Sequence, residues 1–383
     1  MTRVRLLDSD GSVTSDELVA SPEAARPAPA PTTRTVYAAA HVIPKVSAEN
    51  VPGHPAAIDW DQTLAFRHHI WSWGLGVADA MDTAQRNMGL DWPATDELIR
   101  RSAHEAAVVG GRLVVGVNTD HIDEAQVPLE KVVDGYRMQL QTAEDAGAGA
   151  VLMASRHLAH TAEGPADYER VYREVLESAG APVVLHWLGR AFDPHLAGYF
   201  GADLSTATET VLRIIGDNPG KISGIKMSLL DVDAEIAVRR HLPAGVSMFT
   251  GDDFHYVDLI AGDALGHSDA LLGAFAAVAP SAARALAKLD AGDIAEYRAI
   301  LEPTEALSRH IFAEPTQFYK TGVAFLSWLN GHQAAFTMVG GLHAGRSLPH
   351  LSEIVRLANR ARALEKPELA AERWNALLAL NGV

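Results

Sequence analysis

From Thr35 onward the chain keeps one rhythm: a short apolar run, then an amphipathic stretch, repeated every thirty to forty residues or so, the size of a strand–helix unit. The apolar runs Thr35–Val42, Gly76–Ala80, Arg112–Val117, Ala150–Ala154, Pro182–His186, Ile222–Ile225, Ser247–Thr250 and Ala270–Gly273 read as strands. The stretches Thr63–Trp73, Ala94–Val109, Pro128–Ala146, Pro165–Ser178, Ser205–Ile215, Val232–His241 and Tyr256–Ala264 read as helices. Eight such units in series predict a (β/α)8 TIM barrel. An open, doubly wound sheet would carry a Gly-rich turn after its first strand, and none stands here.

The ends of the chain break the rhythm. Val4 to Leu7, an Asp10-Gly11 turn and Ser12 to Thr14 read as a hairpin, and Pro22 to Pro31 as an extended Pro/Ala-rich linker. A hairpin alone is marginal in water, so it is expected to pack on the main domain or on a second subunit. Beyond the eighth strand, Ala282–Lys288, Ile294–Ile311, Thr316–Asn330 and Leu351–Leu364 read as a C-terminal helical extension. The expected division is 1–33 for hairpin and linker, 34–280 for the barrel and 281–383 for the helical region.

Composition narrows the function. A net charge of −16 argues against nucleic acid or an anionic membrane as partner, though it leaves room for a locally basic site. With no cysteine there is no thiolate nucleophile, no disulfide and no Cys-ligated metal. No basic n-region precedes an apolar h-region, and no apolar run reaches spanning length. The expectation is a cytoplasmic protein whose partners are a small-molecule substrate and further copies of itself, as a homodimer or homotetramer.

Lysines are few, and arginine carries most of the positive charge. Lys226 stands at the end of the sixth apolar run, in Gly224-Ile225-Lys226-Met227-Ser228. A lysine at the C-terminal end of a barrel strand can be desolvated, which favours the neutral amine that attacks a carbonyl to form a Schiff base. A surface lysine just past a strand is the simpler alternative.

The order of motifs resembles the dihydrodipicolinate synthase / N-acetylneuraminate lyase superfamily of class I aldolase-like barrels, in a divergent branch. Ala181 to His186 is similar to that family's fifth strand, Gly224-Ile225-Lys226 to its Schiff-base strand and Thr250-Gly251-Asp252-Asp253 to its Ser-Gly-Asp-Asp. Gly273 to Pro280, Ala291 to Asp293 and Glu314-Pro315 with Lys320 continue the resemblance, which spans residues 35 to 335. It implies a Schiff-base lysine at Lys226 and no cofactor. The departures lie in the site. Where the family has Gly-Thr-Thr-Gly-Glu, this chain reads Ala80-Met81-Asp82-Thr83-Ala84-Gln85. Its Tyr pair after the fourth strand is Arg156-His157, and its Tyr after the fifth is His186.

Strand ends of such a barrel are expected to converge on one pocket, bringing together His41, Asp79, Asp82, Asn118, Asp120, His121, Arg156, His157, His186, Lys226, Asp252 and Asp253. Within that set Lys226, His157 and His186 are the catalytic candidates. His157 can replace a Tyr as proton shuttle near neutral pH. Asp82, Thr83, Asp120, His121, Arg156 and Asp253 are the substrate-binding candidates. Asp82 and Asp120 also fit as helix N-caps, Arg156 as an ion-pair partner of either, and Asp253 as the cap of a helix beginning near Phe254. The reading is a carbon–carbon or carbon–oxygen lyase acting on a keto acid or keto-sugar. A metal-dependent sugar isomerase, epimerase or lyase using strand-end His and Asp residues is the alternative, with a non-catalytic barrel behind it; whether a metal is bound stays open.

Overall fold

The structure, a computed structural model, describes residues 2–383. An antiparallel hairpin, β1 (Thr2–Leu7) and β2 (Val13–Leu18), precedes the barrel. The barrel strands are β3 (Val36–Ala39), β4 (Gly76–Asp79), β5 (Leu113–Val117), β6 (Gly149–Leu152), β7 (Val183–Leu188), β8 (Ile222–Ser228), β9 (Ser247–Thr250) and β10 (Asp269–Leu272). They pair in chain order, all parallel, and β10 closes on β3 through Ala270 opposite Val36 and Leu272 opposite Ala38. This is the (β/α)8 barrel that the eight-fold rhythm predicts.

Alternation along each strand sorts side chains between two cores. Tyr37, Ala39, Ala78, Val114, Val151, Val184, Phe249 and Leu271 form an inner cluster, while Val36, Ala38, Val77, Val115, Leu152, Leu185, Ile225 and Met227 pack outward beneath the helices. On β8 the inward positions are Gly224 and Lys226. A Cβ at Gly224 would press on the Phe249 ring, and Lys226, two residues on, shares that face.

The helices start where side chains can satisfy their free N–H groups. Asp59, Asp91, Asp203, Asp231 and Asp293 each accept from the backbone three residues on. Several boundaries differ from expectation. The helix from Tyr256 stops at Ala261, because Gly262 takes a φ of 79°. Arg156–Thr161, between the fourth strand and the helix that follows it, is an additional short helix capped by Ser155. The stretch from Thr316 opens with a 3-10 turn before the helix Tyr319–Leu329, and a further helix, Pro367–Leu380, follows Leu348–Arg360. Its apolar pattern is weak because alanines and the charged Glu368, Glu372 and Arg373 interrupt it.

The hairpin lies on these last two helices of its own chain. Leu7 N–H donates to Ser352 Oγ (2.8 Å), Arg5 N–H to Asn375 Oδ1 (3.1 Å) and Trp374 Nε1 to the Arg5 carbonyl (2.6 Å). Val4, Leu6 and Leu18 are buried there, each worth roughly 1.5–3 kcal/mol relative to exposure. Among the described residues no helix is long and apolar enough to cross a membrane.

Candidate active site

Lys226 enters the C-terminal half of the barrel from β8 and is buried, with 7% of its surface exposed. Its path depends on Gly251, just past β9: a Cβ there would meet Ser228 Oγ and the Met227 carbonyl and lie 2.8 Å from Lys226 Cε. Burial lowers the Lys226 ammonium to about 8; the carboxylates of Asp253 and Asp82 pull the other way and Lys320 pushes with the burial. Asp253, also buried, is raised to about 8, first by desolvation and against the Ala274 N–H, which donates to its Oδ1 at 2.9 Å. The two groups titrate as a pair.

Around Asp82 a second polar group assembles. Tyr319 Oη donates to Asp82 Oδ2 at 2.9 Å and lies 2.7 Å from Thr83 Oγ1. Since the Tyr319 proton is committed to the carboxylate, the Thr83 hydroxyl donates to Tyr319 Oη. Lys320 Nζ donates to the same Oδ2 at 3.1 Å and to the Gln317 carbonyl at 3.2 Å. Asp82 Oδ1 accepts from none of the described residues. Gly273 makes room for this group: a Cβ there would lie 3.1 Å from Tyr319 Cε2 and 3.3 Å from Thr83 Oγ1. Tyr319 stacks on Phe312 (4.2 Å between centroids), and Phe192, from the loop after β7, packs edge-on against both. That loop is tied down by Asp193, which accepts from Arg156 Nε at 2.6 Å. Beside it a cleft of about 540 Å3 is lined by Arg190, Pro194, Glu314, Pro315 and Gln317. A larger cleft, about 800 Å3, lies among the C-terminal helices by Trp328, Phe336 and Arg373; neither cleft has Lys226, Asp253, Asp82, Thr83, Tyr319 or Lys320 in its wall.

The structure therefore groups Lys226, Asp253, Asp82 and Thr83, and adds Tyr319 and Lys320. His186 pairs in register with Lys226 on the neighbouring strand; its Nε2 lies 3.2 Å from Ser228 Oγ, its Nδ1 is unpartnered, and burial, with Lys226 behind it, keeps the ring neutral. His157 is held elsewhere. Its Nδ1 lies 2.8 Å from Thr119 Oγ1, the backbone of Ile122 and Glu124 attends the ring, and burial lowers its pKa.

Other strand-end residues serve the frame. Asp120 is locked to Arg86 by two charge-assisted bonds and accepts from Gln139 (3.0 Å); against the burial that would raise it, these partners hold its carboxyl below the usual range. His121 Nδ1 pairs with Gln139 Nε2 (2.9 Å). Asp79 points outward, into a buried bidentate pair with Arg67 and a bond from Ser102. His41 meets Gln333 (2.9 Å), and Asn118 N–H donates to Gln139 (2.7 Å). Alternation on β4 turns Asp79 outward, and the loops past β3 and β5 hold His41, Asn118, Asp120 and His121 to other partners, so the expected single convergent set does not form. The capping expectations change too. Asp252, not Asp253, accepts from Phe254 and His255 N–H; Asp82 and Asp120 cap no helix; and Arg156 pairs with Asp193 instead of with either. Among the described residues, no three strand-end His or Asp side chains bring ligand atoms together as a metal site would need.

The motif of Glu314-Pro315 with Lys320 marks Lys320, but Tyr319 is missed, since nothing local tells that a helix 236 residues away brings a hydroxyl to Thr83.

The profile of the family described as "Protein of unknown function (DUF993)" matches residues 4–383. No curated protein matches the chain. Among solved structures, YagE, a prophage protein of the dihydrodipicolinic acid synthase family from E. coli K12 in complex with pyruvate, is similar at a TM-score of 0.66 and 15% identity, over 86% of this chain and 99% of that one. Dihydrodipicolinate synthase from Aquifex aeolicus is similar at 0.65 and 13%, over 87% and 99%. A putative dihydrodipicolinate synthetase from Pseudomonas aeruginosa is similar at 0.62 and 16%, over 84% and 99%. The likeness is one of fold, the fold that the motif order resembles.

Proposed function

The chain belongs to the DUF993 family, and from that premise we propose that it is a Schiff-base-forming lyase, of aldolase or dehydratase type, acting through Lys226 on a keto acid or keto-sugar. The observation that carries this reading is the buried Lys226 beside Asp253, with the ammonium lowered to about 8 in the mouth of the barrel.

In this reading the neutral Lys226 amine attacks the substrate ketone, and Asp253 is the acceptor for the proton that the ammonium sheds. The carbinolamine loses water to an iminium, which then draws electrons from the adjacent carbon–carbon or carbon–oxygen bond, so no cofactor is needed. The proton delivered or removed at that stage passes along Thr83, Tyr319 and Asp82. We give this relay to Tyr319 rather than to His157, whose ring is engaged by Thr119. His186, kept neutral beside Lys226, adds no competing charge. Arg156, on exchanging Asp193 for an anionic end of the substrate, orients it. Thr83 and the free oxygen of Asp82 orient a hydroxyl-bearing portion. Asp120 and His121 act through the loop they brace.

The fold likeness to a barrel that holds pyruvate makes small α-keto acids the first compounds to try, although Asp82 beside the lysine disfavours a carboxylate close to the reacting carbon. The test is borohydride trapping against a panel of keto acids and keto-sugars, read by peptide mass. A substrate-dependent adduct on Lys226 is expected. Turnover of any panel compound by Lys226→Arg, without an adduct in the parent, overturns the reading.

A further inference from the structure

A group of potential ligands that this mechanism does not use lies where the first helix of the barrel meets the C-terminal segments. His69 stands in the last turn of the helix Trp60–Ser72, His332 follows the helix Tyr319–Leu329, and Glu365 follows Leu348–Arg360. One nitrogen from each imidazole and one carboxylate oxygen all lie within 4.8 Å of one another. His332 Nε2 is 2.7 Å from Glu365 Oε1, His69 Nε2 is 3.7 Å from the same oxygen, and the two rings are 4.0 Å apart. Tetrahedral coordination with bonds of about 2.0–2.2 Å sets donor atoms about 3.3–3.6 Å apart, so the 2.7 Å His332–Glu365 contact would open and the wider separations, up to 4.8 Å, would close around an ion.

We propose that His69, His332 and Glu365 bind a divalent first-row metal ion of the zinc class, which fastens the C-terminal segment to the first barrel helix. Two imidazoles and a carboxylate are a donor set suited to zinc, with a remaining position for water. The side chains are shielded but reachable, at 9%, 16% and 18% exposure for His69, His332 and Glu365. Their supports are rigid. His69 stacks on Phe66 (5.9 Å, 15°) and meets Trp73 edge-on, which fixes its ring plane. Glu365 N–H donates to Asn330 Oδ1 (2.9 Å), and Asn330 Nδ2 to the Ala363 carbonyl (3.0 Å), so the carboxylate is presented from a braced turn. Two cations, Arg26 and Lys366, act on this site, but both are solvent-exposed and screened there. The ion would replace the hydrogen that His332 Nε2 presents to Glu365, turning a two-residue contact into a three-segment clamp.

The test uses the full chain after chelator treatment. Calorimetric titration with zinc should show one equivalent bound per chain, and the Tm should rise by several degrees at about a hundredfold excess over Kd. X-ray absorption on the zinc-loaded parent should show two imidazole ligands, a reading that needs no variant. His69→Gln, His332→Gln and Glu365→Gln should each weaken binding by about a hundredfold or more, since loss of a mere outer-shell partner already costs 10–100-fold. Absence of stoichiometric binding at micromolar zinc, coordination without two imidazoles, or undiminished binding in His69→Gln/His332→Gln would overturn the site.

Discussion

The Tyr319 hydroxyl stands 2.7 Å from the Thr83 hydroxyl, although 236 residues separate the two in the chain. A residue of the C-terminal extension therefore completes a polar group that begins at the end of β4, and the extension is part of the site rather than an appendage. Tyr319→Phe keeps the ring, its stacking on Phe312 and the fold, and removes only the hydroxyl between Thr83 and Asp82. We expect kcat to fall by about 10²–10³-fold with borohydride trapping at Lys226 retained, as befits loss of a proton-transfer group after the covalent step. Single-turnover kinetics separate the two stages; a variant that traps poorly yet turns over normally would refute the relay.

The pH dependence follows from Lys226. Its ammonium is lowered to about 8, and only the neutral amine is a nucleophile, so kcat/KM should rise with pH through a limb near 8 and then level. Asp253 raises the lysine pKa, so Asp253→Asn should move the limb to lower pH while reducing the plateau rate, because the proton acceptor is gone. A limb unmoved, or moved upward, in pH–rate profiles of the variant would separate Asp253 from the lysine.

On the proposed reading, Asp82 disfavours a substrate carboxylate. A substrate carboxylate brought beside it suffers like-charge repulsion of about 1.4 kcal/mol when partly desolvated, roughly tenfold in binding. We expect negligible condensation of pyruvate with aspartate semialdehyde by the parent. Asp82→Asn should accept small α-keto acids about tenfold better in KM. Efficient condensation by the parent in a coupled assay would contradict both.

Glu235 offers a test of stability independent of catalysis. It is buried on the helix Val232–Arg239, accepts from Ser268 Oγ at 2.7 Å and leaves Oε2 unpartnered; desolvation raises it from 4.5 to about 7. A carboxyl raised on folding contributes stability that is complete below its unfolded pKa and is lost as pH rises through its folded one. Stability should therefore fall between about pH 4.5 and above 7 by up to about 3 kcal/mol from this group. Glu235→Gln should remove that dependence and be the more stable protein at pH 8, by denaturant titration.

The barrel was legible in the sequence because strand period and helix period alternate so regularly, and because a strand buried on both faces reads as an apolar run. Lys226 was legible as well, since a lysine inside such a run is conspicuous. Which neighbours it meets was not. Asp79, Asp82, Asp120 and Asp253 look alike as acids at strand ends, yet alternation turns Asp79 outward to Arg67, a loop carries Asp120 to Arg86, and only Asp82 and Asp253 act on the lysine. A periodicity of two decides such matters, and an uncertain strand end of one residue reverses it. Tyr319 and the docking of the hairpin depend on contacts across most of the chain, where local pattern carries no signal.

The hairpin has one more consequence. Its hydrogen-bond partners lie 345 and 370 residues downstream, on the last two helices. During synthesis, β1 and β2 emerge well before the two helices that cover Val4, Leu6 and Leu18. Closing so large a loop is slow, and the apolar edge is exposed meanwhile. A segment made early is thus among the last to settle, and its apolar side chains stay open to other contacts until the helices Leu348–Arg360 and Pro367–Leu380 have folded.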